Sequence, residues 1–433
     1  MRVALVNPRW SFDGSIYFGC RDEHLPLELG YARALLEAGG HDVLMLDGAL
    51  DELDEAGLAE RMATFRPDMT VVTTAPTYLF WRCAQPELTV PARLLHAMGD
   101  TAGVRIAIGP HGSTTPRAAL AKLPVDVVVM GEAEEPLAQL AAGKPREEIG
   151  CLAWHGNDGE AVVHGAPFAG RFVDLPPLAW PDAWIARHHH HHHRFDTEPE
   201  GPGAEVEASR GCPYACSFCA KENFRDKYRR RHLPALLAEI DGLIAQEVEY
   251  LYFVDEIFLP WRQLLEALVE RPVRFGVQTR IDIWKPEMIE LLGRAGCVSI
   301  EAGVESLTEE GRSSLDKDCR MGTDELSALL VEAKRHVPFV QANLIERAED
   351  DEEAVQAWRT TMREQGVWAN DPVPLYPYPG SPDYRKLWGW PDDAAWERAH
   401  AHYLARFADF SDIQEGQPRP LPELEACCRS RAA

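Results

Sequence analysis

Twice along this chain short apolar runs alternate with amphipathic stretches, first over residues 1–145 and again from 204 to about 376. Parallel strands joined by crossover helices produce that pattern, which makes the fold class α/β. In the first series, residues 3–6, 42–46, 69–73, 105–108 and 125–129 read as strands. Helices at 27–37, 51–65, 89–98, 116–121 and 134–141 lie between and after them. Five parallel strands with helices on both faces form a doubly wound sheet, and ligands of such sheets bind at the carboxyl ends of the strands. The turns there carry Thr73 and Thr74, then Gly109, Pro110, His111 and Gly112, then Gly131 and Glu132. Glycine at these points lets backbone approach a ligand closely, or merely ends a strand. In the second series, strands at 204–208, 249–254, 273–279, 298–302, 339–344 and 372–376 predict an incomplete (β/α)6 barrel, again with its site at the carboxyl ends. Residues 146–203, proline-rich at 174–181, read as a linker, and 385–433 as a helical C-terminal region and tail.

Between the two series stands Arg210-Gly211-Cys212-Pro213-Tyr214-Ala215-Cys216-Ser217-Phe218-Cys219. Thiolates hold 4Fe-4S clusters one per iron. The C-x3-C-x2-C spacing therefore leaves one iron open to a small molecule. A structural zinc site is the rival, but zinc takes four ligands in paired spacing and no second C-x2-C pair follows. Cys20, Cys83, Cys151, Cys297 and Cys319 show no mutual spacing and read as core. Cys427 and Cys428 are vicinal in the tail. The run His188 to His193 reads as a low-complexity loop with incidental metal affinity.

Charge and hydropathy exclude other classes. A formal charge of −25 over 433 residues disfavours nucleic acid, and Arg225 to Arg231 is the one dense basic stretch. It serves as a solvated helix start or as an anion site. No apolar run approaches the ~20 residues of a membrane span. The N-terminus reads as a strand and not a signal peptide, so ten cysteines point to a reducing cytoplasm.

The cysteine loop, with Phe218 before its last cysteine, resembles the signature of the radical S-adenosylmethionine (radical SAM) superfamily. Residues 1–145, through Leu27-Glu28-Leu29-Gly30-Tyr31, Gly40-His41 and the three turns, resemble the flavodoxin-like cobalamin-binding domain that precedes many radical SAM domains. The cobalt-ligating D-x-H-x-x-G motif is absent, since Asp13 and Asp22-Glu23-His24 do not fit it. The resemblance therefore implies a lower cobalt face not held by that histidine. It assigns the cluster to Cys212, Cys216 and Cys219 and cobalamin contacts to Thr73, Thr74, Gly109, Pro110, His111, Gly112, Gly131 and Glu132. SAM contacts fall on Phe218, on Asp255 and Glu256 after the second barrel strand, on Arg280 after the third, and on Glu301, Glu305 and Ser306 of a G-x-E-S element. Leu315 and Lys317 follow at the family's distance, and Pro379-Gly380-Ser381-Pro382 resembles its P-G-[ST]-P element. The fifth strand lacks the usual glycine- and proline-containing loop.

What the resemblance implies is a cobalamin-dependent radical SAM enzyme, foremost a methyltransferase acting on an unactivated carbon of a small molecule. It would draw electrons from an external donor of flavodoxin or ferredoxin type. Cyclisation or rearrangement without methyl transfer is the alternative within the class. A non-catalytic cobalamin sensor or electron-transfer protein is the alternative outside it.

Overall fold

The computed structural model describes residues 1–11, 24–77, 87–188, 201–221 and 227–407. The first sheet is built from β1 (Arg2–Asn7), β2 (Asp42–Asp47), β3 (Met69–Thr73), β4 (Val104–Ile108), β5 (Val127–Val129), β6 (Cys151–His155) and β7 (Ala161–Gly165). Its order is β2-β1-β3-β4-β5-β6-β7, with β1 to β5 parallel and the last two strands antiparallel. The order reverses beside β1, the switch point where such sheets open a crevice. Val3, Leu5, Val71, Ile106 and Val129 pack on one side of this sheet and Ala4, Val6, Val72, Ala107 and Val128 on the other, so both faces are apolar, as parallel sheets require.

The linker reading needs correction. Its first part is the β6–β7 hairpin, which extends the sheet, turning at Gly156 to Gly159. Gly165 approaches Gly150 so closely that a Cβ would lie 1.7 Å from its carbonyl oxygen. Beyond it, Trp180 packs over Gly30, where a Cβ would meet its ring at 2.7 Å.

The second sheet contains β8 (Gly203–Val206), β11 (Tyr250–Phe253), β12 (Arg274–Thr279), β13 (Cys297–Glu305), β14 (Phe339–Leu344) and β15 (Trp368–Ala369). They are parallel and ordered β15-β14-β13-β12-β11-β8, the curved open sheet of a partial barrel. A two-stranded ribbon, β9 (Ser209–Arg210) with β10 (Arg229–Arg230), stands apart from it. The expected last strand at 372–376 is replaced by β15, and only Val373 bridges to Ile345. Pro372 and Pro374 supply no N–H to a ladder.

The edge strand β8 is held across the domain boundary. Glu205, fully buried, accepts from His24 Nδ1 at 2.8 Å and Leu25 N at 3.1 Å and pairs with His188 Nε2 at 2.7 Å. His188 therefore has a structural role, unlike the incidental one expected of the run; 189–193 lie outside the described residues. Burial pushes the Glu205 carboxyl up, but His188 and His24 outweigh it and hold it well below the ordinary value of 4.5. A group depressed on folding stabilises above its unfolded pKa, and that contribution drains away as pH falls. Glu205→Gln should therefore melt lower than wild type near neutrality and lose less on acidification below about pH 5, read from thermal midpoints across a pH series.

Candidate active site

The cysteine loop leaves the barrel through the neck formed by β9 and β10, where Arg210 pairs with Arg229 in register. Two like charges side by side need acids, and three supply them, with a fourth serving Arg231. Arg210, 1% exposed, is bound by Glu207 at 2.9 Å and by Glu134 at 2.6 Å, with Glu132 at 3.6 Å. Arg229 donates to Glu132 at 2.9 Å and to Gly170 O at 2.7 Å, and Arg231 to Glu239 at 2.7 Å. The Arg210 guanidinium lies 5.2 Å from the Tyr31 ring centroid and 4.7 Å from that of Phe172. Burial alone would lower its pKa, but Glu134, Glu207 and Glu132 raise it well above the ordinary value. Glu132 lies in the turn after β5 and Glu134 opens the helix that follows, so the neck of the cysteine loop is fastened to the sheet domain. Two expectations change here. Glu132 is committed to arginines, and Arg229 and Arg231 of the basic stretch, in which Arg225 is not described, are held in internal ion pairs.

Beyond the neck, Gly211 has φ +77°, and a Cβ there would lie 2.2 Å from Lys227 O. Its N–H donates to Glu256 at 2.8 Å, and Lys221 Nζ to Cys212 O at 2.6 Å. Ser217 N–H donates to Leu315 O at 2.8 Å and its hydroxyl to Asp383 at 3.0 Å, which ties the loop to the segment after Pro379-Gly380-Ser381. Cys212, Cys216, Cys219 and Phe218 are half-buried. Burial raises the thiols of Cys212 and Cys216 and pushes that of Cys219 up to about 12. Three thiols in a poorly solvating loop suit a cationic iron core that keeps them as thiolates. Among the described residues no three His, Cys, Asp or Glu side chains converge as ligands of a single metal ion would. A cubane differs, since each iron takes its own thiolate.

The barrel rim faces this loop. Arg280 chelates Asp282 at 2.7 and 3.0 Å, donates to the carbonyls of Lys317 and Asp318, and lies 3.9 Å from the Tyr214 ring centroid. It is thus a brace for the cysteine loop, where the resemblance implied a SAM contact. Glu305 ends β13 at φ +71°, a left-handed conformation rare outside glycine, and accepts from Lys317 at 3.1 Å. The β13–β14 register shifts there. Glu301 accepts from Gln278 at 2.7 Å and Tyr252 at 3.4 Å. Asp255 is buried with Ala208 N–H at 2.8 Å and the Ser209 hydroxyl, and burial raises its pKa well above the ordinary value. Ser306, also buried, donates to Asp350 at 2.8 Å. Both support the backbone from within. Gln278, Tyr252 and Asp350 were given no site role in the sequence reading, and only their hydrogen bonds to Glu301 and Ser306 identify them.

At the sheet domain's carboxyl edge, Asn7 donates to Asp47 at 2.6 Å and accepts from Thr73 and Trp10, each at 2.9 Å. Burial raises Asp47 to about 6 despite those bonds. Asn7 and Asp47 were missed, yet each ends a strand beside the switch point. Gly109 and Pro110 open a short helix containing a buried His111. Gly112 and Gly131 are set by packing, since a Cβ would come within 2.3 Å of Val128 and of Phe168 respectively. Thr74 is buried and its Oγ1 has no hydrogen-bond partner. The orphaned Thr74 hydroxyl at a strand end fits a bound polar cofactor there. Cys151 and Cys297 are core residues and Cys319 is half-buried, while Cys20, Cys83, Cys427, Cys428, Asp13, Asp22 and Glu23 lie outside the described residues. Gly211→Ala should cut the iron bound per chain several-fold after anaerobic reconstitution, because both φ and the Lys227 carbonyl oppose a side chain. Glu134→Gln should cost about 3 kcal/mol in urea denaturation, the scale of a broken buried ion pair.

Known proteins share these features. Residues 206–355 match the Radical SAM superfamily model. The anaerobic magnesium-protoporphyrin IX monomethyl ester cyclase of Rubrivivax gelatinosus is 25% identical over 412 residues, covering 89% of this chain and 70% of that protein. The bacteriochlorophyllide d C-12(1)-methyltransferase of Chlorobaculum tepidum is 28% identical over 195 residues, 42% of each chain. Among solved structures, the radical SAM methyltransferase TsrM of Kitasatospora setae, with cobalamin and a 4Fe-4S cluster bound, aligns at TM-score 0.67 and 19% identity, covering 88% of this chain and 76% of that one. With its cysteine loop at the rim of a partial barrel and a doubly wound sheet locked against the loop's neck, this chain carries a segment, 206–355, that matches the Radical SAM superfamily, and it shares the fold of TsrM.

Proposed function

We propose that the chain is a cobalamin-dependent radical SAM methyltransferase that modifies an unactivated carbon of a small molecule. The observation that carries it is the fastening of the cysteine loop's neck to residues just after β5, which joins that loop to the carboxyl end of the sheet. Residues 1–145, extended by the β6–β7 hairpin, hold cobalamin, and residues 204–384 hold the cluster and SAM. When bound, the cluster with SAM supplies hydrogen abstraction by a radical, and cobalamin supplies the methyl group.

The chain's own residues bind and orient. Cys212, Cys216 and Cys219 hold the cluster. Arg280 and Asp383 keep their loop in place, the first through Tyr214 and the second through Ser217. Glu305, fixed by its left-handed backbone and by Lys317, and Glu301, fixed by Gln278 and Tyr252, present carboxylate oxygens to the amine and ribose hydroxyls of SAM. Phe218 and Glu256 complete that wall. Asp255 and Ser306 position backbone behind it. Thr73, Thr74, Gly109, Pro110 and His111 line the cobalamin edge.

The half-buried Cys212 and Cys216 leave the loop near the surface, which supports electron delivery by an external donor of flavodoxin or ferredoxin type in a reducing cytoplasm. No helix among the described residues is long and apolar enough to cross a membrane. The cyclase relative, matching 89% of this chain, favours ring closure without methyl transfer as a second reading.

Anaerobically reconstituted protein given SAM and a reductant should release 5′-deoxyadenosine, and Ala at Cys212, Cys216 or Cys219 should abolish both iron binding and that release. No release from protein with an intact cluster would sink the radical reading. Once the substrate is in hand, methyl-deuterated SAM should label the product, whereas unlabelled product formed alongside 5′-deoxyadenosine would favour the cyclase.

A further inference from the structure

The neck of the cysteine loop has a second side. Successive side chains of a ribbon point to opposite faces, so Arg229 and Arg231 turn to Glu132 and Glu239 while Arg230, between them, turns the other way. There its guanidinium lies 5.1 Å from the Trp261 ring centroid and 5.9 Å from that of Tyr228. It donates to the Tyr228 hydroxyl at 3.1 Å and to Pro260 O at 3.3 Å. Lys227 is exposed, and Tyr228, Arg230 and Trp261 are half-buried. Among the described residues no carboxylate pairs with Lys227 or Arg230, whereas the neighbouring Arg262 is matched by Glu266 at 3.6 Å and Glu256 accepts the Gly211 N–H. Two unmatched cations and two aromatic rings thus share one patch of an acidic chain.

That patch adjoins the cluster ligands. A Cβ on Gly211, the residue before Cys212, would lie 2.2 Å from Lys227 O and 3.0 Å from Tyr228 N. Reduction of the cluster needs an electron from outside, and a chain of charge −25 repels an acidic carrier over most of its surface. Opposite charge at one place steers such a partner there. Electron-transfer encounters bury little area, which suits a patch of four side chains. A flavin carrier presents the flat edge of its ring system, and Trp261 and Tyr228 offer that edge aromatic surface.

We infer that Lys227, Tyr228, Arg230 and Trp261 form the docking face for the external electron donor, and that this donor is an acidic protein of flavodoxin type. This rests on the radical reading above. In the encounter the reduced flavin loses one electron and the cluster gains it, and no bond is made or broken in the enzyme. Lys227 and Arg230 orient the carrier by charge, and neither is a cluster ligand.

The test uses the full-length, anaerobically reconstituted protein with SAM, reduced either by dithionite or by a flavodoxin kept reduced by its NADPH-dependent reductase. Release of 5′-deoxyadenosine is read in both arms, and the Kd for oxidised flavodoxin is read by calorimetry. Lys227→Glu reverses an exposed charge, and Arg230→Gln removes the second cation while keeping a donor for Pro260 O. Each should hold the dithionite rate within about twofold of wild type, while kcat/KM for flavodoxin falls and its Kd rises about tenfold at low salt. The wild-type flavodoxin rate should itself fall as salt rises, and that of Lys227→Glu should fall less. Equal losses in both arms would make the patch structural and overturn the inference. So would flavodoxin binding that neither substitution weakens, or a ferredoxin that binds this face more tightly than flavodoxin does. Wild-type protein that releases no 5′-deoxyadenosine with dithionite and an intact cluster would instead remove the radical reading, whatever the flavodoxin Kd.

Discussion

The buried guanidinium of Arg210 is the interaction on which the rest of the architecture depends. It lies two residues before the first cluster cysteine, pairs in register with Arg229, and takes carboxylates from both domains, Glu207 on one side and Glu134 on the other. Isolated burial of such a charge is prohibitive, and only dense, well-oriented pairing makes it tolerable. The geometry is correspondingly unforgiving. Either domain can shift only by exposing an unmatched charge in a place water does not reach, which gives the two ligand-binding edges one mutual setting.

Around that lock the polypeptide is bent into conformations it would not choose. Gly211 and Glu305 both sit at positive φ, one at the start of the cysteine loop and the other where β13 meets the rim. Glu305 carries the cost of a full side chain there and is held by Lys317 and by a register shift against β14. Strain of this kind persists where surrounding contacts over-determine it, and it keeps a functional side chain aimed without needing a ligand to order it.

Much of this was legible in the residues. Parallel strands buried on both faces write themselves as apolar runs, so β1 to β5, β8 and β11 to β14 could be read closely. The cysteine spacing gave the loop its chemistry. β6 and β7 went unseen because they pair antiparallel after a run of parallel crossovers, at the edge, with a half-exposed alternation in β7 that resembles a loop. The last barrel strand was displaced because prolines make a poor ladder, whatever their apolarity. Least legible were the roles of charged residues. Glu132 in a strand-end turn looks the same whether it meets a ligand or an arginine 97 residues away, and no local pattern distinguishes them. His188 was hidden by the histidines that follow it.

The contact between His24 and Glu205 spans 181 positions of sequence. An open barrel's first strand is an exposed edge, prone to pair with the wrong chain until something covers it. Here the cover is supplied by residues that precede the whole of the sheet domain's helical layers, joined by His188 from the connection. Loop closure over such a distance is entropically late. The edge of the barrel is thus covered only once His24 and Leu25, at the head of the sheet domain, are in place. Synthesis from the N-terminus delivers those residues first, so the order in which the ribosome releases the chain matches the order in which its edges need protection.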